Sequence, residues 1–146
     1  MTRKEVRTLI EDAVNDLSQS VGFGSGRITE FNKARSNTYP FAWLESISDS
    51  PDLTTQNLPI SNWDCSIHVA KKDSQGSSPE EYEDIIDDCD EIAKKIAVKI
   101  NLSISGYKLI TLSAQNFEPF VKKHADILTG VIYSFTLNIP DTTNRC

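Results

Sequence analysis

The sequence predicts an α+β fold: a mostly antiparallel sheet of about five strands packed on two helices, in the order helix, two strands, strand, long helix, two strands. Three observations predict it. A capped amphipathic stretch opens the chain, a second and longer one runs from Pro79 to Ile100, and the segments around them alternate apolar and polar residues at period two. Helix faces recur every 3.6 residues and strand faces every two, so the two periods separate the element types. With 146 residues, 38% of them hydrophobic and 25% charged, the chain has the size and composition of one globular domain over 1–146, with a flexible loop around 48–57.

The first helix should begin at Thr2. Thr2 and Glu5 have the Ser/Thr-x-x-Glu spacing in which each side chain caps the other's backbone N–H. Val6, Leu9, Ile10, Ala13, Val14 and Leu17 then make one stripe at helical spacing, and Gly22, Gly24 and Gly26 are expected to end the helix. That G-x-G-x-G run follows a helix instead of linking a strand to one, so it lacks the setting of a dinucleotide loop.

Two strands are expected next, Arg27 to Phe31 and Tyr39 to Ile47, joined by the polar turn Lys33 to Thr38. Ser48 to Asn57, rich in Ser, Asp and Thr, reads as a surface loop. Trp63, Cys65, Ile67 and Val69 then alternate with Asp64, Ser66 and His68, the pattern of an amphipathic strand.

Ser78, Pro79 and Glu81 supply a cap, a proline at the first helical position and a glutamate three residues after the cap. Tyr82, Ile85, Ile86, Cys89, Ile92, Ala93, Ile96, Ala97 and Ile100 follow as a continuous stripe, so this helix is the expected spine, with Ile86, Ile92 and Ile96 buried against the sheet. Tyr107 to Ser113 should be a strand, followed by a loop containing Pro119. In the closing strand, Thr129 to Pro140, Val131, Tyr133, Phe135, Leu137 and Ile139 keep strict period two. A strand so much longer than the usual five or six residues is expected to project past its own core and offer a subunit interface.

A formal net charge of −6 argues against a general nucleic-acid coat, whose affinity comes from Lys and Arg neutralising phosphates. Cys65, Cys89 and Cys146 form no close pair, and with His68 and His124 no zinc spacing can be drawn, so free thiols and no metal or cofactor are expected. No apolar run is long enough to span a bilayer, and the amino terminus does not read as a signal peptide.

Four constellations carry charge or chemistry. Glu83, Asp84, Asp87 and Asp88 crowd the start of the long helix with Glu80, Glu81, Asp90 and Glu91, where the helix dipole favours carboxylates, while Lys94, Lys95 and Lys99 lie toward its end. Read plainly this is a solvated face, and it also offers a negative patch to a neighbouring subunit. Asp64, Ser66 and His68 share a strand face and have the residue types of a hydrolytic triad. Positions two apart on a strand stand about 6 to 7 Å apart, too far to chain neatly, so His68 is expected to be an ordinary exposed residue.

Arg27, Lys33 and Arg35 accompany Phe31, Tyr39, Phe41 and Trp43, an interleaving that suits single-stranded nucleic acid if the aromatics are exposed and a decorated hairpin if they are core. Lys122, Lys123 and His124 make a second basic site in the loop expected after Pro119.

The element order, the basic aromatic hairpin within Arg27 to Glu45 and the late run A-D-I-L-T-G-V-I-Y-S-F-T-L together resemble the tail-terminator and tail-completion proteins of tailed bacteriophages, small α+β proteins that form rings at the junction between head and tail. The resemblance covers most of the chain in element order. It implies a homo-oligomeric ring in the virion, a hexamer or dodecamer, without catalysis, assembled in the host cytoplasm. Its neighbours would be neck, portal-adaptor or tail proteins, with possible transient DNA contact in the lumen. The interface residues under this reading are Arg27, Lys33, Arg35, Trp43, Glu83, Asp84, Asp87, Asp88, Lys122 and Lys123. The competing reading is a monomeric module that binds nucleic acid or peptide through the 27–43 hairpin, for which Trp43 should be exposed. A small hydrolase is a third, and needs the fold to supply a partner for His68 or His124.

Overall fold

A computed structural model of the chain describes residues 1–26, 40–45, 47–50, 60–72, 79–106, 110–123 and 128–140. Its elements are α1 (Arg3–Asn15), β1 (Gly22–Gly26), β2 (Phe41–Glu45), β3 (Ser48–Asp49), β4 (Ile60–Lys72), α2 (Pro79–Ile104), β5 (Thr111–Lys123) and β6 (Leu128–Pro140). Among the described residues the fold is α+β, two helices on a six-stranded and mostly antiparallel sheet in the order β1-β2-β4-β6-β5, with β3 also on β4. The expected strand at Arg27 to Phe31, the turn at Lys33 to Thr38 and most of the loop at 48–57 lie outside the described residues.

The expected capping box forms: the Thr2 hydroxyl accepts the Glu5 N–H at 3.2 Å, and Glu5 Oε2 accepts the Thr2 N–H at 2.9 Å. The helix stops at its C-cap, Asp16, before any glycine. The glycine run does not terminate α1 but forms β1, paired in parallel with β2. Its composition has a packing reason. Alternate residues of a strand share a face, so Gly22, Gly24 and Gly26 leave one face of β1 without side chains. A Cβ on Gly24 would sit 2.5 and 2.7 Å from ring carbons of Trp43, its partner on β2, and the Trp43 indole N–H donates to the Gly26 carbonyl at 3.3 Å. The indole occupies the volume that side chains on β1 would fill.

The ladder between β4 and β6 runs over thirteen residue pairs, from Ile60 opposite Pro140 to Lys72 opposite Leu128. The closing segment is therefore an interior strand, hydrogen-bonded on both sides, and it does not project past its core. On the face toward the helices, Trp63, Cys65, Ile67 and Val69 meet Leu137, Phe135, Tyr133 and Val131, all buried. Cys89, Ile92, Ala93, Ile96, Ile100 and Ile104 of α2 and Val6, Ile10, Ala13 and Val14 of α1 cover them. Ile86, expected in this layer, is half-buried, because the first turns of α2 reach toward the end of the ladder.

β5 also departs from expectation. It begins at Thr111, continues through Pro119 and ends at Lys123, so Pro119 lies inside a strand. An edge strand tolerates proline because the missing N–H can fall on its unpaired side. Two register shifts, at Ser113/Asn116 and Phe120/Lys123, insert an extra residue each, and Ala114 takes a left-handed φ of 52° in the first. That insertion restores phase. Leu112 and Phe117 are five apart, yet both pack toward the helices, and Phe117 stacks on Tyr133 at 4.6 Å.

Ile92→Ala and Ile96→Ala should each cost about 2 to 5 kcal/mol in denaturant unfolding, and Ile86→Ala clearly less, because its site already meets solvent. Losses below about 1 kcal/mol at both buried positions would remove α2 from the core. Gly24→Val should displace the indole, lowering stability and changing Trp fluorescence; an unchanged spectrum and midpoint would contradict the packing of Trp43 over β1.

Candidate functional site

Among the described residues both helices pack on one face of the sheet, so its other face is the first place to look for function. Two regions divide it. At the Lys72 end of the ladder, Phe41, Trp43, Ala70, Phe120 and Leu128 form a second buried apolar cluster with Ile132 against it. Trp43 is 4% exposed, which corrects its assignment to an interface and withdraws it from base stacking. His68, expected to be exposed, is likewise buried among these residues. Its Nε2 lies 3.0 Å from Glu45 Oε1, an ion-pair separation when the imidazole is protonated. Its ring tilts against Phe120 at 6.0 Å. Strand alternation put His68 on the less apolar face of β4; among the described residues, Trp43 of β2 stands opposite it and Phe120 of β5 lies against it.

Toward the other end the same face is polar and solvated. Asp64 accepts hydrogen bonds from the Thr136 hydroxyl at 2.7 Å and the Ser50 hydroxyl at 3.2 Å. The Ser66 and Ser134 hydroxyls meet at 3.2 Å, and the Asn138 amide donates to Ser113 Oγ at 2.9 Å and Thr111 Oγ1 at 3.2 Å. Asp64, Ser66 and His68 thus engage different partners on β6, the Ser50 segment and β2. The fold does not bring them together.

The charges of α2 separate into two halves. Toward its end, Lys94 pairs with Asp90 at 2.6 Å, Lys95 with Glu91 at 3.2 Å and Lys99 with Asp16 of the α1 cap at 2.9 Å. Nearer its start, Asp88 pairs with Lys71 of β4 at 2.9 Å. Glu80, Glu83, Asp84 and Asp87 stay exposed, with no ion pair among the described residues. The later half thus engages its lysines within the chain, while the carboxylates of the first turns face solvent.

Arg27, Lys33, Arg35 and His124 lie outside the described residues, and Lys122 and Lys123 occupy the end of β5 instead of a loop. A basic site the sequence reading passed over stands on α1. Arg3, Lys4 and Arg7 line a groove of about 740 Å³ with Ser25, Gly26, Leu44, Glu45 and Ile47. Arg3 is fixed there, its Nε donating to the Ile47 carbonyl at 3.2 Å and its guanidinium lying 5.6 Å over the Trp63 ring. Lys4 and Arg7 are exposed. The signal was available in T-R-K-E-V-R, since Arg3 and Arg7 are one helical turn apart.

No protein-family model matches the chain, and no curated protein is significantly similar to it. Function must therefore be argued from the surfaces themselves. Among the described residues, no group of three or more His, Cys, Asp and Glu side chains is placed to hold a metal ion, and no helix is long and apolar enough to cross a membrane.

Cys65 and Cys89 are free and buried. Burial pushes the Cys65 thiol from 9.0 up to about 12, with the Asp64 carboxylate adding to it. Cys89 rises from 9.0 to about 12 chiefly by burial, against a smaller opposing pull from the Lys71 ammonium. Both sulfurs are poor nucleophiles, since the thiolate is the reactive species. In native protein both should react far more slowly with a thiol reagent than in denaturant. The pH dependence has a definite sign. Their contribution to stability is whole below about pH 9, where neither state ionises, and falls as pH rises toward 12, where the unfolded chain gains thiolates that the folded one resists. Unfolding titrations should show at most about 1.4 kcal/mol lost per thiol per pH unit in that window, and a rise there would contradict the burial.

Proposed function

We propose that this chain is a virion structural protein: one subunit of a ring at the head-to-tail junction or tail end of a tailed bacteriophage, joining neighbouring neck and tail components. The observation that carries the reading is the polar, partly exposed region of the outer sheet face. Asp64, Thr136, Ser134, Asn138, Ser113 and Ser66 are held there by cross-strand hydrogen bonds on strands of thirteen residues. Such a platform is rigid, because each side chain is fixed by its neighbour, and it is rich in donors and acceptors of the kind found at the rims of protein interfaces. The open carboxylates of α2 and the basic groove on α1 add surfaces of opposite sign, which set orientation and register between neighbours more than raw affinity.

The monomeric module working through the 27–43 hairpin is less well supported, since Phe41 and Trp43 are core residues and offer no face for stacking. Within a ring, Arg27 and Arg35 belong either at a subunit contact or toward DNA in the lumen.

Purified particles provide the test. The chain should be present in them in multiple copies, and its loss should leave filled heads and separate tails. Reversing the charge of Arg27 and Arg35 together should block joining while the monomer stays folded. Crosslinks from these positions to a neighbouring subunit would assign them to the contact, and crosslinks to DNA to the lumen. Particles that lack the chain, or that join normally without it, would end the proposal.

A further inference from the structure

The two open fields of charge lie at opposite ends of the molecule. Asp88 pairs with Lys71, and the Cys89 thiol lies against the Thr129 carbonyl at 3.9 Å, so the first turns of α2 sit over the Lys71–Thr129 end of the central ladder. The basic groove is at the other end, where Arg3 lies over Trp63 and bonds to Ile47. Trp63 and Lys71 are about 26 Å apart at about 3.3 Å per residue of strand. Glu80, Glu83 and Asp84 precede Asp88 in the helix and stand farther out still. With a Debye length of about 10 Å at 0.1 M ionic strength, the two patches cannot neutralise one another within one chain.

We propose that the Arg3, Lys4 and Arg7 groove receives the acidic first turns of α2 from a second copy of this chain, giving a head-to-tail contact. This rests on the reading above only in taking the chain to self-associate. The spacings agree: Arg3 and Arg7 stand one helical turn apart, as do Glu83 and Asp87, so two cations face two carboxylates over the same rise of about 6 Å. Both sides are available. Lys4, Arg7, Glu83, Asp84 and Asp87 are exposed, and Arg3 is already held in place by its bond to Ile47. Glu45, the carboxylate on the groove wall, lies 3.0 Å from His68 on the sheet and leaves the groove with an excess of positive charge. Because the two patches differ, each copy offers one end to the next and keeps the other open, so the contact repeats; it makes a ring where the rotation closes and a filament where it does not.

Sedimentation of the full chain at low ionic strength tests this. Wild type should associate with rising concentration and dissociate when salt is added. Lys4→Glu with Arg7→Glu, and separately Glu83→Lys with Asp87→Lys, should each raise the dissociation constant about tenfold or more while circular dichroism stays native. An equimolar mixture of the two reversed proteins should associate again, because every contact in an alternating array then joins opposite charges. The same rescue should appear when all four changes are made in one chain. A wild type that is monomeric throughout, reversals without effect, or a mixture that fails to associate would each overturn the contact. Loss of single-stranded oligonucleotide binding in Lys4→Glu/Arg7→Glu, with self-association unchanged, would assign the groove to nucleic acid and overturn it too. The two proposals fail separately: association that ignores these charges leaves a ring reading with another interface, whereas a charge-swapped rescue in a chain absent from particles leaves the contact without the virion.

Discussion

The fold depends on the ladder between β4 and β6. Over thirteen residue pairs each backbone satisfies the other, and each strand must use both faces at once. On one face every second residue is apolar, and the layer from Trp63 to Val69 against Val131 to Leu137 receives both helices. Burying one large apolar side chain is worth about 1.5 to 3 kcal/mol, so this layer is what draws the two helices onto the sheet. β2 and β3 attach to one side of the ladder and β5 to the other, so none has its place without it.

The outer face, which no helix among the described residues covers, divides into two parts. Its polar half satisfies itself through hydroxyl, amide and carboxylate pairs across strands. Its apolar half needs volume for two aromatic rings beside one another, and Phe41 and Trp43 lie with centroids 6.2 Å apart. The glycines of β1 supply that volume. A pattern that suggests a phosphate loop when read as a motif is here the negative image of an indole, and the parallel pairing of β1 with β2 sets it against the ring.

The net charge of −6 conceals a division of labour along α2. Its lysines are used within the chain: Lys94 and Lys95 in i,i+4 pairs along the helix, and Lys99 in the contact with Asp16 that ties the later turns to α1. Exposed pairs of this kind contribute about 0 to 1 kcal/mol each, so they position more than they stabilise. The charges left over are carboxylates at one end and cations in a groove at the other.

Much of this was legible in the sequence, wherever a local rule and burial agreed. The capping box at Thr2, the start of α2 at Pro79, its buried stripe from Cys89 to Ile100 and the alternation of β4 and β6 all depend on neighbours a few residues away, so short-range chemistry dictates them. The remaining features need the assembled fold, because their deciding partners are remote in the chain. The local pattern does not reveal which strands lie side by side: His68 is set opposite Trp43 by the pairing of β2 with β4, and Gly22 to Gly26 extend as a strand only because β2 lies alongside. Pro119 is accommodated within a strand because β5 is at an edge, and the inserted residue at Ala114 turns Phe117 inward. The groove on α1 was the hardest to foresee. Arg3, Lys4 and Arg7 are plain in the sequence, but a surface concave enough to receive a ligand exists only once Ser25, Leu44 and Ile47 have been brought beneath them.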